Sequence, residues 1–205
     1  MASIRTIVCY NINMSEDKNE KIVAFVGLTG SGKSAAVDYV TEKGYPKVYF
    51  GGIIYTAMDE AGIEITPESQ QKFREEIRET EGKDFVAKRA IKQAHNLIES
   101  GQHRIVFDGI YSWTEYKLIK HEFPGELSVI AIVTPKLIRH RRLANRPERP
   151  FTQAEADTRD WSEIENLEKG GPIAIADHYI MNDGDLDNLH KQIDQVLSDI
   201  EFYNI

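Results

Sequence analysis

Eight consecutive residues carry the clearest chemical signal in the sequence. The segment Gly27-Leu28-Thr29-Gly30-Ser31-Gly32-Lys33-Ser34 fits the pattern G-x-x-x-x-G-K-[ST] at every defined position. Backbone N–H groups of such a loop, with the amino end of the next helix, form a concave site for phosphate oxygens. An apolar stretch precedes the segment and a helical pattern follows it, which favours this interpretation over a glycine-rich turn that matches by chance. The sequence therefore predicts a binding site for ATP or GTP.

The last residues of this segment have the side-chain chemistry that a magnesium triphosphate requires. Lys33 is expected to reach the β and γ phosphates as a point charge, and the Ser34 hydroxyl to coordinate Mg²⁺ that bridges them. Gly30 and Gly32 keep Cβ atoms away from the phosphates. All eight residues are predicted to bind the nucleotide, and ATP with Mg²⁺ is the expected ligand.

Asp108 directly follows the predicted strand at residues 104–107. Ligands of open α/β sheets bind at the carboxyl ends of strands, so Asp108 is predicted to order the metal, directly or through water, or to orient an acceptor. Gly109 stands where many hydrolysing ATPases carry a glutamate that activates water, which favours transfer to an acceptor over hydrolysis. The alternative is that this Asp-Gly pair is an ordinary turn after a strand.

An arginine cluster occurs in the second half of the chain. Its members are Arg139, Arg141, Arg142, Arg146 and Arg149. Guanidinium groups stabilise the charge that develops on the equatorial oxygens during phosphoryl transfer. Residues 139–152 are therefore predicted to form an arginine-rich lid, with Arg142 and Arg146 as catalytic residues. A solvated basic helix face and a contact with RNA or a partner protein are the alternatives.

Composition limits the classes of partner and location. The 205 residues include 25 Lys and Arg against 33 Asp and Glu, a net charge of −8, so a partner role for nucleic acid is not expected. A single cysteine, Cys9, excludes an intrachain disulfide and a cysteine-only metal site, which fits a reducing cytoplasmic location. The longest clean apolar run, residues 129–133, is too short to span a bilayer, so no membrane partner is expected.

Short apolar runs alternate with helical patterns from residue 22 onward, which predicts a parallel sheet flanked by helices. The predicted strands are residues 22–26, 47–50, 104–107, 127–133 and 178–181. The predicted helices are residues 34–42, 67–78, 84–99, 112–122, 135–145, 153–168 and 185–202. Residues 21–205 are read as one domain after an N-terminal extension of residues 1–20. Within it, residues 51–82 are expected to form a helical insertion on the acceptor side.

The chain resembles the P-loop nucleotide kinases, and dephospho-coenzyme A kinase in particular, over most of residues 22–200. The phosphate loop, the arginine cluster, residues 106–110 and residues 176–184 carry this resemblance. It implies a three-layer α/β P-loop fold with a five-stranded parallel sheet, a helical acceptor insertion and a lid. It also implies phosphoryl transfer from ATP to a small nucleotide or nucleotide-like acceptor, with Asn182 and Gly184 near the adenine base.

The same resemblance suggests residues that contact the acceptor. Arg78 precedes a turn and helix similar to those of the related kinases, so it is implied as a ligand of an acceptor phosphate. Arg74, one turn earlier, is the second choice. Arg159 is a further candidate for the closed site, because an Arg-Asp pair occupies a related position in the resembling proteins.

Three residues depart from the kinase pattern on the acceptor side. Gly52 stands where such kinases place an aspartate, Tyr55 where the nearest of them have an arginine, and Tyr111 where an arginine often follows Asp-Gly-Ile. The acceptor is therefore left open, and so are two other functions. One is a regulatory nucleotide-binding protein that has lost kinase activity. The other, favoured only by the arginine cluster, is a polynucleotide end kinase.

Overall fold

A computed structural model describes residues 19–203, apart from the side chains of residues 67, 68, 71, 74, 75 and 78. Of the predicted N-terminal extension, residues 1–18 lie outside the described residues, so that assignment stays a prediction. Among the helices of the described part, none combines the length and the apolar character that a membrane span requires.

All five strands belong to one parallel sheet. The strands are β1 (Lys21–Val26), β2 (Lys47–Tyr49), β3 (Arg104–Asp108), β4 (Leu127–Val133) and β5 (His178–Met181), in the order β2-β3-β1-β4-β5. The helices are α1 (Lys33–Thr41), α2 (Phe50–Glu60), α3 (Pro67–Thr80), α4 (Phe85–Glu99), α5 (Trp113–Glu122), α6 (Lys136–Ala144), α7 (Gln153–Glu165), α8 (Gly170–Ala174) and α9 (Leu186–Asp199).

Helices cover the sheet on both faces, because side chains alternate along each strand. Val23 and Phe25 of β1 pack in one core cluster with α1 and α9. Ile22 and Ala24 pack in the other cluster with α2, α4 and α5. The predicted three-layer fold with a five-stranded parallel sheet is therefore confirmed.

Some element boundaries differ from the prediction. The strand predicted through Phe50 ends at Tyr49, and α2 begins at Phe50, whose ring packs 5.4 Å from that of Phe107. Gly51 and Gly52 have low helix propensity, which obscures the exact start of this helix in the sequence. The helix predicted through residue 168 ends at Glu165 and is followed by the short α8, which begins with two glycines.

The topology fixes where a ligand site lies. Strand β1 lies between β3 and β4, so chain connections depart to opposite sides at its carboxyl end. Open α/β sheets bind ligands in the crevice at such a point. Residues 27–32, the start of the phosphate loop, connect β1 to α1 there.

Candidate active site

Glycines at two positions of the phosphate loop are required by its geometry. Gly30 has φ +83° and Gly32, the N-cap of α1, has φ +96°, conformations that L side chains rarely adopt. A Cβ on Gly30 would meet the Arg139 carbonyl oxygen at 3.0 Å, and one on Gly32 would overlap the Asn182 amide. The loop therefore turns tightly against its neighbours, and its backbone N–H groups are left close to the start of α1.

The loop is braced from the ends of β4 and β5. The Ser31 carbonyl oxygen accepts hydrogen bonds from Asn182 Nδ2 (2.7 Å) and Thr134 Oγ1 (2.9 Å), both in buried side chains. Asn182 thus contacts loop backbone in this structure, and Gly184 lies in the turn before α9. Their implied place near the adenine base stays a prediction.

Lys33 and Asp108 meet as an ion pair between their side chains. Register explains the meeting, since Phe25 of β1 pairs with Asp108 at the end of β3 and Lys33 opens the helix after β1. Asp108 is 8% exposed and lines the same cleft as Ser34. Two of the residues predicted to act on phosphate and metal are therefore in direct contact.

The oxygen donors present suit magnesium carried by a nucleotide. Mg²⁺ in phosphate-transfer sites takes one or two protein oxygens together with phosphate oxygens and water. Ser34 offers a hydroxyl and Asp108 a carboxylate on one cleft. Within residues 19–203, no three His, Cys, Asp or Glu side chains cluster as a metal centre of their own. The residues fit a metal that arrives with the nucleotide.

The cleft over the loop has a volume of about 740 Å³ and is locally basic. Six basic and three acidic side chains line it, in a chain of net charge −8. The basic residues are Lys33, Lys47, Arg142, Arg146, Arg159 and Lys169, and the acidic ones are Asp38, Asp108 and Glu115. A basic cleft in an acidic protein favours a polyanionic ligand.

One member of the arginine cluster is buried behind the phosphate loop. Arg139 is buried, forms a two-pronged pair with Asp160 (2.6 and 2.8 Å) and donates to the Thr29 carbonyl oxygen (3.1 Å). Burial opposes ionisation of Asp160, but Arg139 and a hydrogen bond from His140 hold the pKa of that carboxyl below its usual range. Arg139 therefore helps to hold the backbone of the phosphate loop in place, on the side away from the cleft.

Both arginines predicted to be catalytic line the cleft. Arg142 is half-buried, with its guanidinium nitrogens 3.4 Å from Thr134 Oγ1 and 3.5 Å from Asn182 Oδ1. Arg146 is exposed. Arg159, on α7, also lines the cleft, so the structure brings these three arginines to the phosphate loop.

Sequence reasoning missed two residues of this region, Glu163 and Lys169. Glu163 is fully buried and accepts hydrogen bonds from the Thr29 N–H (2.9 Å), the Thr29 hydroxyl (2.6 Å) and Lys169 Nζ (2.6 Å). Thr29 occupies a variable position of the loop motif, and Glu163 lies in a strongly charged helix. The sequence around Thr29 or Glu163 therefore gives no sign that the two residues are in contact, since they lie 134 residues apart.

Tyrosine rings packed on glycines line the side of the cleft that is predicted to bind the acceptor. The Tyr49 ring lies on Gly51 and Gly52, where a Cβ would meet it at 2.6 and 2.7 Å. The Tyr111 ring lies in the same way on Gly109, at 2.7 Å. Burial, with the nearby charge of Asp108, raises the pKa of the Tyr111 phenol, so that this ring stays neutral. A side chain at position 52 would therefore displace the Tyr49 ring.

Other predicted acceptor residues are less well described. Tyr55 lines the cleft on α2. Arg74 and Arg78 lie on α3, and their side chains are outside the described residues. Their role stays a prediction.

A phosphate loop at the end of the central strand, basic residues around it and this strand order define the chain as an α/β protein of the P-loop kinase-like class. A family model described as "AAA domain" matches residues 23–168. A UPF0200 protein of Thermococcus gammatolerans is 33% identical over 182 residues, covering 87% of this chain and 95% of the relative. The chain therefore belongs to the UPF0200 family.

Solved structures agree with this class. TT1252 from Thermus thermophilus has a TM-score of 0.60 at 16% identity, over 88% of this chain and 97% of its own. Shikimate kinase from Acinetobacter baumannii has a TM-score of 0.53 at 17% identity, covering 89% and 95%. Dephospho-CoA kinase from Campylobacter jejuni has a TM-score of 0.50 at 17% identity, covering 89% and 98%. At these identities the likeness shows the fold, and the implied kinase-like fold is confirmed.

Proposed function

We propose that the protein transfers the γ-phosphoryl group of ATP, together with Mg²⁺, to a small nucleotide or nucleotide-like acceptor. The observation that carries this proposal is the contact between Lys33 and Asp108 on the floor of one cleft. That cleft is lined by the phosphate loop and by the tyrosines Tyr49, Tyr55 and Tyr111. Donor and acceptor therefore have room side by side, and kinases are among the proteins that share the fold.

The donor side binds phosphates through the loop backbone and Lys33. Ser34 and Asp108 would hold Mg²⁺, which neutralises charge on the phosphate oxygens. When ATP binds, the Lys33 ammonium exchanges the Asp108 carboxylate for phosphate oxygens, and the carboxylate becomes free for the metal or the acceptor. Without a nucleotide, each of these two charges has the other as its partner.

In the transfer step, an acceptor oxygen forms a bond to the γ-phosphorus while the bond to the bridging oxygen of ADP breaks. If the acceptor is a hydroxyl group, its proton leaves, and Asp108 is the carboxylate placed to accept it. Arg142, Arg146 and Arg159 line the cleft and would stabilise the charge on the transferred group. Closure of the exposed part of the predicted lid, residues 144–150, would exclude water and suppress hydrolysis, whereas Arg139 stays buried.

The acceptor side supports a planar or nucleotide-like molecule. Tyrosine rings offer flat apolar surface with a polar end, which suits a heterocyclic base. Arg78, and Arg74 as second choice, are proposed to bind an acceptor phosphate. Dephospho-coenzyme A is the specific acceptor proposed for testing first, as the resemblance suggests.

ADP release from Mg-ATP tests the proposal against a panel of dephospho-coenzyme A, nucleosides, nucleoside monophosphates and short oligonucleotides. We expect one small acceptor to stimulate release, with mass spectrometry showing that this acceptor gains one phosphate. Lys33→Ala should abolish the stimulation, whereas Lys191→Ala, an exposed lysine of α9, should not. The proposal fails if no small acceptor is phosphorylated.

Two observations favour alternative functions, one observation for each. The Tyr49 ring occupies the space beside Gly52 that an acceptor-binding aspartate would need, which favours a regulatory nucleotide-binding protein. For such a protein, we expect tight ATP binding and no increase in ADP release with any acceptor. Arg141 and Arg149 are exposed, which favours a polynucleotide end kinase. For that function, ADP release depends on oligonucleotides alone.

A further inference from the structure

Lys169 lies in an unusual place for a lysine. It is the N-cap of α8, is only 7% exposed, and still lines the cleft. Its ammonium lies 4.9 Å from the centre of the Tyr111 ring, which follows Asp108 at the end of β3. Lys169 is therefore on the Asp108 side of the cleft, where Lys33 is expected to meet the γ-phosphate.

Basic side chains are crowded at this end of the cleft. Burial lowers the pKa of Lys169, and the charges of Arg159 and Lys33 lower it further, while the Glu163 carboxylate opposes them. Like charges brought together in a partly buried site repel each other. Such an arrangement is stabilised when an anion with several charges binds among them. A terminal phosphate is an anion of that kind.

The hydrogen bonds of Lys169 leave it able to bind such an anion. An ammonium group has three N–H donors. Within the part of the chain that the structure describes, the only hydrogen bond from Lys169 Nζ goes to Glu163 Oε1 (2.6 Å). Two donors are therefore left for phosphate oxygens, while the ion pair keeps the ammonium in place.

The backbone before Lys169 is strained. Glu168 has φ +55°, a left-handed conformation that is uncommon for residues other than glycine. The Lys169 N–H donates to the Glu163 carbonyl oxygen (3.0 Å), which closes a tight turn after α7. Strained residues are retained mainly where the surrounding structure requires them, often at functional sites. Here the turn brings the next side chain back into the cleft.

Glu163 connects this lysine to the phosphate loop. Its Oε2 accepts the Thr29 N–H, and its Oε1 accepts the Thr29 hydroxyl and pairs with Lys169 and Arg159. Burial disfavours the ionised form of Glu163, but the Lys169 charge and the Thr29 hydrogen bonds hold the pKa of the carboxyl below its usual range. One charged carboxylate thus fixes the loop and two cations together.

We propose that Lys169 is a second lysine that contacts the terminal phosphate of the bound nucleotide, and that Glu163 positions it. This inference rests on the proposed function in that both place a triphosphate in the cleft. It adds a residue that distinguishes ATP from ADP, because the ammonium lies at the γ-phosphate end. Lys33, in contrast, serves both nucleotides through the β-phosphate.

Calorimetric titration of Mg-ATP and Mg-ADP into Lys169→Gln tests the inference without any need for turnover. We expect the affinity for ATP to fall by about 10- to 100-fold, as for the loss of charge-assisted hydrogen bonds, while the affinity for ADP is nearly unchanged. Lys191→Gln, the matched exposed lysine, should bind both nucleotides like the wild type. An unchanged ATP affinity in Lys169→Gln, or an equal loss for ATP and ADP, would overturn the inference.

The titration separates this inference from the proposed function. A wild-type protein that binds neither nucleotide overturns both. A wild-type protein that binds ATP but phosphorylates no acceptor contradicts only the proposed function, and an ATP-specific loss in Lys169→Gln still supports the role of Lys169.

The positioning role of Glu163 has its own test. Glu163→Gln keeps an acceptor oxygen for Thr29 but removes the charge that holds Lys169, so we expect it to reproduce the ATP-specific loss. If that variant does not fold, the double variant Glu163→Gln with Lys169→Met removes both buried charges and restores folding. It should keep the affinity for ADP and show the low affinity for ATP. Wild-type preference for ATP over ADP in Glu163→Gln would overturn the role of Glu163, and the same preference in the double variant would overturn the role of Lys169.

Discussion

The proposed donor side and the proposed acceptor side of the cleft are built in different ways. On the donor side, the phosphate loop is held through its backbone, by Asn182 and Thr134 at the Ser31 carbonyl and by Glu163 at the Thr29 N–H. On the acceptor side, the surface consists of side chains, the rings of Tyr49 and Tyr111 lying on glycines.

This difference has a consequence for function. A site made from backbone N–H groups and fixed from several elements keeps its shape when side chains around it change. A site made from side-chain rings changes its specificity when one ring or one glycine is replaced. The proposed function is therefore compatible with a conserved phosphate donor and a different acceptor, in keeping with the departures at Gly52 and Tyr55.

Asp108→Asn should have the largest effect, and it should affect turnover without weakening ATP binding. We expect acceptor-dependent turnover to fall by about 10³-fold, because the carboxylate that orders metal or acceptor is lost. ATP affinity should stay the same or rise, since Lys33 no longer has a competing carboxylate. Steady-state kinetics together with a binding titration measure both. Unchanged turnover would exclude Asp108 from the reaction.

Replacement of a buried arginine should destabilise the protein more than replacement of an exposed one. Arg139→Ala leaves Asp160 buried without its main partner and should cost about 3 kcal/mol of unfolding free energy. Arg146→Ala, an exposed member of the same cluster, should change that free energy by less than about 0.5 kcal/mol. Urea denaturation monitored by circular dichroism compares them. Equal losses would mean that Arg139 does not brace the loop.

Gly52→Ala probes the acceptor side alone. The added Cβ would displace the Tyr49 ring, which it meets at 2.7 Å. We expect the KM for the acceptor to rise about tenfold, equivalent to about 1.4 kcal/mol, with the KM for ATP unchanged. The assignment of the two sides would be wrong if ATP, and not the acceptor, showed the change.

Low pH should reduce the folding stability that Asp160 and Glu163 contribute behind the phosphate loop. The folded-state pKa values of Asp160 and Glu163 are lowered, so their contribution to stability is present above the unfolded values of about 4 and is lost as pH falls below them. Asp160→Asn should therefore flatten the fall in stability below about pH 4. Urea midpoints between about pH 6 and pH 3 measure this, and parallel curves for variant and wild type would contradict it.

The sequence predicted the phosphate loop, the strand before it and the helix after it, because these elements are adjacent along the chain. The contact of Lys33 with Asp108 depends on β1 and β3 being neighbours in the sheet, and the sequence pattern did not predict that order. Alternating apolar runs likewise predicted the sheet.

Other features depend on contacts between distant segments and left no local signal. Glu163 and Thr29 are 134 residues apart in the sequence, so their hydrogen bonds could not be predicted from either segment. Arg139 differs from the other arginines of the cluster only through its pairing with Asp160, which the sequence does not reveal. The start of α2 at Phe50 was missed because tertiary packing outweighs the low helix propensity of two glycines.

Titration of Mg-ATP into the wild type, Lys33→Ala and Lys191→Ala tests most directly whether residues 27–34 bind the phosphate donor. The account predicts that the wild type and Lys191→Ala bind one ATP per chain with equal affinity. Lys33→Ala should bind about 10- to 100-fold more weakly, because its charged hydrogen bonds to phosphate are lost. Equal ATP affinity in Lys33→Ala and the wild type would contradict the account.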